Sequence, residues 1–284
     1  MFSSLKRNID WILFLSILPI IGAGLITMNS FSLDNHFFNR QIIWVTISLS
    51  LLIICSFFDF RFLRRTDILV GLFSFISLLL VSLFVIGHTA KGAQSWLDFG
   101  GFSFQPSDPM KLVVILLLAK YFSRRHVEIA NIKHILISGL YVFIPFVLVL
   151  LEPDFGSAMV LFFIWLGMII VSGVSKKHLL FVFIIGVVSI SLLWIFAFQP
   201  YQKQRIMTFL NPLTDIRGSG YNAYQSTIAV GSGQIFGKGV GYGTQSRLKF
   251  LPEYQTDFIF AAFAEEWGLM GVVLLFSLFL IVVW

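Results

Sequence analysis

The chain has 284 residues, 57% of them hydrophobic and only 12% charged, with 33 Phe and a formal net charge of +6. A soluble domain carries about 25% charged residues, and no fold of this size could hide so much apolar surface from water. Composition therefore excludes a soluble globular protein. The basic residues are scattered rather than gathered in a stripe, which excludes a nucleic-acid partner.

Long runs with few or no charges recur along the chain, each close to the roughly 20 residues that a membrane-spanning helix needs. The reading is an all-α polytopic membrane protein with about eight spans, at residues 11–28, 41–58, 68–87, 108–122, 135–151, 155–173, 179–198 and 258–284. The first run lacks a small-x-small cleavage site, so it is predicted to stay as a span. Cys55, the single cysteine, lies inside the second run as a small apolar residue and permits no disulfide within the chain. Lys6, Arg7, Arg61, Arg64, Arg65, Arg124, Arg125, Lys133, Lys176 and Lys177 fall on one side of these spans. The short connections of the other side hold only Arg40 and Lys91, with Lys111 at a span's entrance. The positive-inside rule then puts the N-terminus in the cytoplasm and residues 199–257 outside.

Two outside segments are unusual. Residues 88–107 gather Gly92, Gly100, Gly101, Gln94, Trp96, Asp98, Gln105 and Pro106. Residues 199–257 hold eight Gly among many apolar side chains, from Tyr201 and Phe209 to Leu248 and Leu251. That apolar content argues against disorder and predicts short interfacial helices joined by Gly turns. No inverted repeat of the kind that builds transporters is visible.

Ionisable groups at or inside spans carry the chemistry by default, because desolvating a charge costs several kcal/mol. At Gln105–Lys111, Ser107 or Asp108 can cap the fourth span, with Pro109 in its first turn. Asp108 and Lys111 are three apart and share a face, either as a structural ion pair or with Lys111 meeting an anion. In Glu152-Pro153-Asp154, two carboxylates in a tight turn suit a cation or simple hydration. Asp257, directly before the last apolar run, reads as an N-cap or, if partly buried, as a base for proton abstraction. Glu265 and Glu266, deeper in that run, should face the bundle or a hydrated cavity. The Gly-rich stretch 231–246 could offer backbone N–H groups, beside Lys238 and Arg247, to a phosphate, though it matches no nucleotide-binding fingerprint. His36, His88, His126, His134 and His178 have no metal-ligand spacing and read as loop or interface residues.

These segments together resemble the SEDS family (shape, elongation, division and sporulation), most closely its RodA branch. The resemblance rests on Lys91–Asp98, Gln105–Lys111, Glu152–Ser157, Gln204–Met207, Gly220–Asn222, Gln225-Ser226, Ile228–Gly233, Gly237–Gly239 and Gly243–Ser246. Phe250–Glu253, Thr256–Ala261 and Ala264–Glu266 complete it, in family order and spacing. It implies a single SEDS-type domain over 1–284, with 199–257 as its large extracytoplasmic loop. It further implies a peptidoglycan glycosyltransferase that polymerises lipid II at the outer face of the bacterial inner membrane during elongation, beside a class B penicillin-binding protein. The family's key carboxylate falls on Asp257, its charged pair on Asp108 and Lys111, and its second-span arginine on Arg40.

On that resemblance Asp257 is the expected base, and Lys111, Lys238, Arg40 and Arg205 are the expected diphosphate partners. Lys238 and Arg205 can equally be read as plain surface cations. Gln225, Ser226, Gln245, Glu253 and Thr256 are further substrate-binding candidates. A divalent cation, Mg or Mn, could bridge diphosphate and carboxylate, although no ligand set specifies one. The family usually has Glu where Asp108 stands, and often Arg at Ser95, Pro at Ile216 and Lys at Thr227. The family bundle has ten spans, so a chain ending at Trp284 is expected to lack the last two. Two alternatives stay open: a flippase for lipid-linked precursor, with Glu265, Glu266 and Lys111 lining a hydrated cavity, and a non-catalytic scaffold for a synthase partner.

Overall fold

A computed structural model describes residues 9–30, 36–90, 93–98, 103–123, 132–196, 200–211, 215, 218 and 220–284. Lys6, Arg7, Lys91, Arg124, Arg125, His126 and Ile216 lie outside the described residues. The helices are α1 (Trp11–Ser30), α2 (His36–Ser56), α3 (Thr66–Ile86), α4 (Ser107–Ser123), α5 (Ile132–Leu151), α6 (Phe155–Val171), α7 (Lys176–Phe196), α8 (Pro200–Leu210), α9 (Tyr221–Ser232), α10 (Thr244–Arg247) and α11 (Ile259–Val283). Each of the eight predicted apolar segments is a helix. Among the described residues, α1, α3, α5, α11 and residues 37–56 of α2 are long and apolar enough to cross a membrane, and α6 is a shorter apolar helix. Among the described residues of 199–257 are three short helices, α8 to α10, with Gly-containing turns between α9 and α10.

One element departs from an all-helical reading. Residues 88–104 form a small antiparallel sheet of β1 (His88–Ala90), β2 (Ala93–Asp98) and β3 (Ser103–Phe104), with Leu97 opposite Phe104 and Asp98 opposite Ser103.

The chain divides into two compact units, residues 59–193 and residues 1–58 with 194–284. In the first, the core is an apolar column from α3, α4, α5 and α6 that includes Leu80, Leu83, Met110, Leu118, Val142, Val149 and Leu161. Two of its buried polar side chains, Ser138 and His134, have side-chain partners. Trp165 Nε1 donates to Ser138 Oγ at 3.1 Å, and Tyr121 Oη lies 2.9 Å from Nδ1 of the buried His134. In the second unit, α11 packs along α1 and against α9, and α2 leans on α1.

At the α5–α6 turn of the first unit, Asp154 caps α6 by accepting from Ser157 N at 3.1 Å, and its other oxygen accepts from Gln105 Nε2 at 2.7 Å. This bond joins two of the polar segments that the sequence singles out. Glu152, two residues before, is only 1% exposed, and neither of its oxygens has a hydrogen-bond partner. Of the two readings open for this carboxylate, a cation ligand or a hydrated group, such burial does not fit the hydrated one. Burial, reinforced by the neighbouring Asp154 charge, pushes the Glu152 carboxyl up to about 8 from an ordinary 4.5.

The folded state thus keeps a proton that the unfolded chain gives up near the ordinary value. Stability should fall as pH rises between those two values, by up to about 1.4 kcal/mol per pH unit, and level off above them. Thermal unfolding in detergent across that window should show this decline, and Glu152→Gln should flatten it. An equal slope in both proteins would contradict the assignment.

Candidate active site

The site of the second unit is built on a break in α11. Gly268 adopts φ 64°, ψ −168°, a left-handed conformation open chiefly to glycine. The break frees helix carbonyls on one side and N–H groups on the other, which cannot stay unpaired away from water. The loop after α9 takes up all four. Lys238 N donates to Glu265 O at 3.0 Å and Gly239 N to Glu266 O at 3.0 Å. Leu269 N donates to Gln234 O at 2.9 Å and Met270 N to Ile235 O at 3.1 Å. The approach is so close that a Cβ on Gly237, itself at φ 78°, would run into the carbonyl oxygen of Glu266.

Side chains reinforce the docking. Glu265 is fully buried. Its Oε1 accepts from Lys238 Nζ at 2.8 Å, Gln245 N at 3.0 Å and Thr244 Oγ1 at 3.2 Å, with Ser232 Oγ at 3.3 Å. Its Oε2 accepts from Ser246 N and Ser246 Oγ, both at 3.3 Å. Glu266, 1% exposed, accepts from Gly241 N at 2.7 Å. The Gly-rich stretch does present its N–H groups to an anion, and that anion is the protein's own Glu265. Lys238, expected to meet a diphosphate, instead pairs with Glu265 and donates to Thr244 Oγ1 at 2.7 Å.

One turn and more before Glu265, α9 and the start of α11 line an open cleft of about 470 Å³, referred to below as the cavity. One wall is Ser226, Thr227, Val230 and Gly231; the other is Asp257, Phe258, Phe260 and Ala261. Ala229, Leu251 and Ala261 pack together in the same unit, with Tyr254 and Phe258 against them. Asp257 is exposed at the cavity. The N-cap position of α11 is held by Phe258, the residue after it. Ser226 Oγ and Thr227 Oγ1 both donate to the carbonyl of Ala223, at 2.8 and 2.9 Å. With their protons committed, they present acceptor lone pairs to the cavity, as Asp257 does.

Of the other expected site residues, Gln225 is half-buried on α9, one residue before the cavity wall. Gln245 contributes its N–H to Glu265, while its buried Oε1 has no partner among the described residues. Glu253 and Thr256 are joined to each other, Oε2 to Oγ1, at 2.9 Å in the turn before Asp257. Arg40 is exposed on α2; Arg205 is carried by α8, and its side chain lies outside the described residues. In the first unit, Lys111 Nζ donates to Asp108 Oδ1 at 2.8 Å, the ion pair that their spacing predicts. Sequence reasoning missed Val230, Gly231, Phe258, Phe260 and Ala261 as lining residues. The spacing 226, 227, 230, 231 on one helix face was the available signal. Among the described residues no three His, Cys, Asp or Glu converge as a metal site.

Residues 4–284 match the FTSW_RODA_SPOVE cell cycle protein family. The chain belongs to this family. It is 40% identical over 206 residues to the peptidoglycan glycosyltransferase MrdB of Escherichia coli, covering 72% of this chain and 55% of MrdB, so it spans about half the length of that relative. It is 35% identical to the stage V sporulation protein E of Bacillus subtilis, over 98% of this chain and 78% of that protein. Among solved structures it resembles a chain of a peptidoglycan synthase complex, with TM-score 0.78 and 28% identity over 96% of this chain and 75% of that one. It also resembles the rod shape determining protein RodA of Thermus thermophilus, with TM-score 0.66 and 26% identity over 96% and 72%. The multi-pass membrane fold is that of RodA.

Gly237→Ala should destabilise the family member by more than about 2 kcal/mol, through both the clash and the positive φ. The thermal midpoint in detergent measures it; an unchanged midpoint would mean that the loop does not dock on the helix break as described.

Proposed function

We propose that this protein is a peptidoglycan glycosyltransferase that polymerises lipid II at the extracytoplasmic face of the bacterial cytoplasmic membrane, and that Asp257 is its catalytic base. The N-terminus is cytoplasmic on this reading, from the distribution of Lys and Arg. The names of MrdB and of the synthase complex support the chemistry. The observation that carries the reading is the cleft: the exposed Asp257 carboxylate stands beside two acceptor hydroxyls and the apolar faces of Val230, Phe258, Phe260 and Ala261. Such a lining suits a ligand rich in hydroxyl and amide donors with an apolar ring face, which is what a sugar offers.

Asp257 accepts the proton of the acceptor's 4-hydroxyl as that oxygen attacks the donor's anomeric carbon. The bond to undecaprenyl diphosphate breaks, and cations stabilise the departing charge. Arg40, Arg205 and Lys111 remain the candidates for that work, whereas Lys238 is engaged by Glu265. Glycan elongation and a class B penicillin-binding partner complete the reading. The flippase alternative needed Glu265 and Glu266 on a hydrated cavity, and both are sealed under the loop.

In a complex with its penicillin-binding partner, Asp257→Ala should lower polymer yield from purified lipid II by about 10²-fold or more, with the protein still folded. Unchanged yield would refute the base assignment. No polymer from the unaltered complex would favour the scaffold role.

A further inference from the structure

Half-buried Lys238 and fully buried Glu265 form an ion pair that lies where the two cavity walls are tied together. The first wall is the end of α9, and Ser232, the last residue of α9, directly follows the lining residue Gly231. Ser232 Oγ donates within α9 to Ala229 O at 2.9 Å and lies 3.3 Å from Glu265 Oε1. The second wall is the start of α11, and Glu265 stands one turn beyond the lining residue Ala261. The same carboxylate takes Lys238 Nζ, Thr244 Oγ1 and the N–H groups of Gln245 and Ser246, which lie on the loop that returns from α9 to α11. Glu265 thus holds the end of one wall, the loop and the root of the other wall in one network.

We propose that Glu265 is a positioning residue for the Asp257 cavity, and that Lys238 completes Glu265 rather than binding a substrate phosphate. The placement of Asp257 opposite Ser226 and Thr227 depends on this network. Without the Lys238 charge, Glu265 is a buried anion held only by neutral donors. Without the Glu265 charge, Lys238 loses its counter-ion and four loop donors lose their strongest acceptor. Either change loosens α9 against α11. Misplacing a base by a fraction of an ångström lowers turnover while leaving substrate capture largely intact.

The inference rests on the glycosyltransferase reading for its kinetic readout, so the test has a second readout that needs no substrate. Lys238→Met, Glu265→Gln and the double variant are compared with the unaltered protein in steady-state lipid II polymerisation. Each single variant should lose roughly tenfold in kcat, with KM within about twofold and the double variant no worse than the poorer single. In a Cys55→Ser background, nitroxide labels at Thr227→Cys and Phe260→Cys report the separation of the walls by dipolar broadening. That separation should be narrowly distributed with Glu265 present and broader in Glu265→Gln and Lys238→Met. Glu265→Asp keeps the charge and withdraws it by one methylene, so it should give an intermediate kcat and an intermediate distribution if the bolder variants fail to fold. A raised KM in Lys238→Met with effects that multiply in the double variant would make Lys238 a substrate ligand and overturn the proposal. So would label spacing indifferent to both Glu265 substitutions. If the labels respond but no variant or parent makes polymer, the positioning network stands and the glycosyltransferase reading falls.

Discussion

A single buried anion organises the second unit of this protein. Removing a carboxylate from water costs several kcal/mol unless it is paired and fully hydrogen-bonded, and Glu265 is both. Its donors come from Ser232 at the end of α9, from Lys238 and from the start of α10. The cost of an unsatisfied charge therefore fixes where a glycine-rich loop can lie. That loop closes the break at Gly268, and the broken helix in turn gives the loop the carbonyls and N–H groups that it pairs with. Neither element has a complete set of hydrogen bonds without the other.

This arrangement places polarity at one end of α11 and leaves the rest apolar. Asp257, Glu265 and Glu266 precede the break, and the residues from Leu269 to Trp284 are apolar apart from Ser277. The two Glu are buried against the loop, Glu265 with both oxygens hydrogen-bonded and Glu266 accepting from Gly241 N, whereas Asp257 is exposed at the cleft. In the first unit, Asp154 caps a helix and holds Gln105, while Glu152 is buried with no hydrogen-bond partner among the described residues, and burial raises its pKa.

Much of this was legible in the sequence because hydropathy is a local property. Every predicted apolar segment is a helix, and the Asp108–Lys111 pair follows from spacing alone. The burial of Glu265 and Glu266 follows from the cost of facing lipid. Three things were not legible. The sheet of β1, β2 and β3 is made of strands two to six residues long, too short for an alternating pattern to stand out in the sequence. The break at Gly268 hides in an apolar run, where one glycine reads as an ordinary helix residue until its loop partner is known. The glycine-rich nest was recognisable as a place for an anion, but whether that anion is a phosphate or a distant Glu is decided by tertiary contacts. Lys238 carries the same ambiguity, and in the fold it pairs with Glu265.

The account's central claim is that the cavity between α9 and the start of α11 is where the sugar is held. The most direct measurement is photocrosslinking of lipid II to the partner-bound protein, with a benzophenone amino acid in place of Phe260. The account predicts a covalent adduct whose mass contains the disaccharide, lost when unlabelled lipid II competes. Efficient polymerisation with no adduct from position 260, or from the opposite wall at Val230, would place the sugar elsewhere and contradict it.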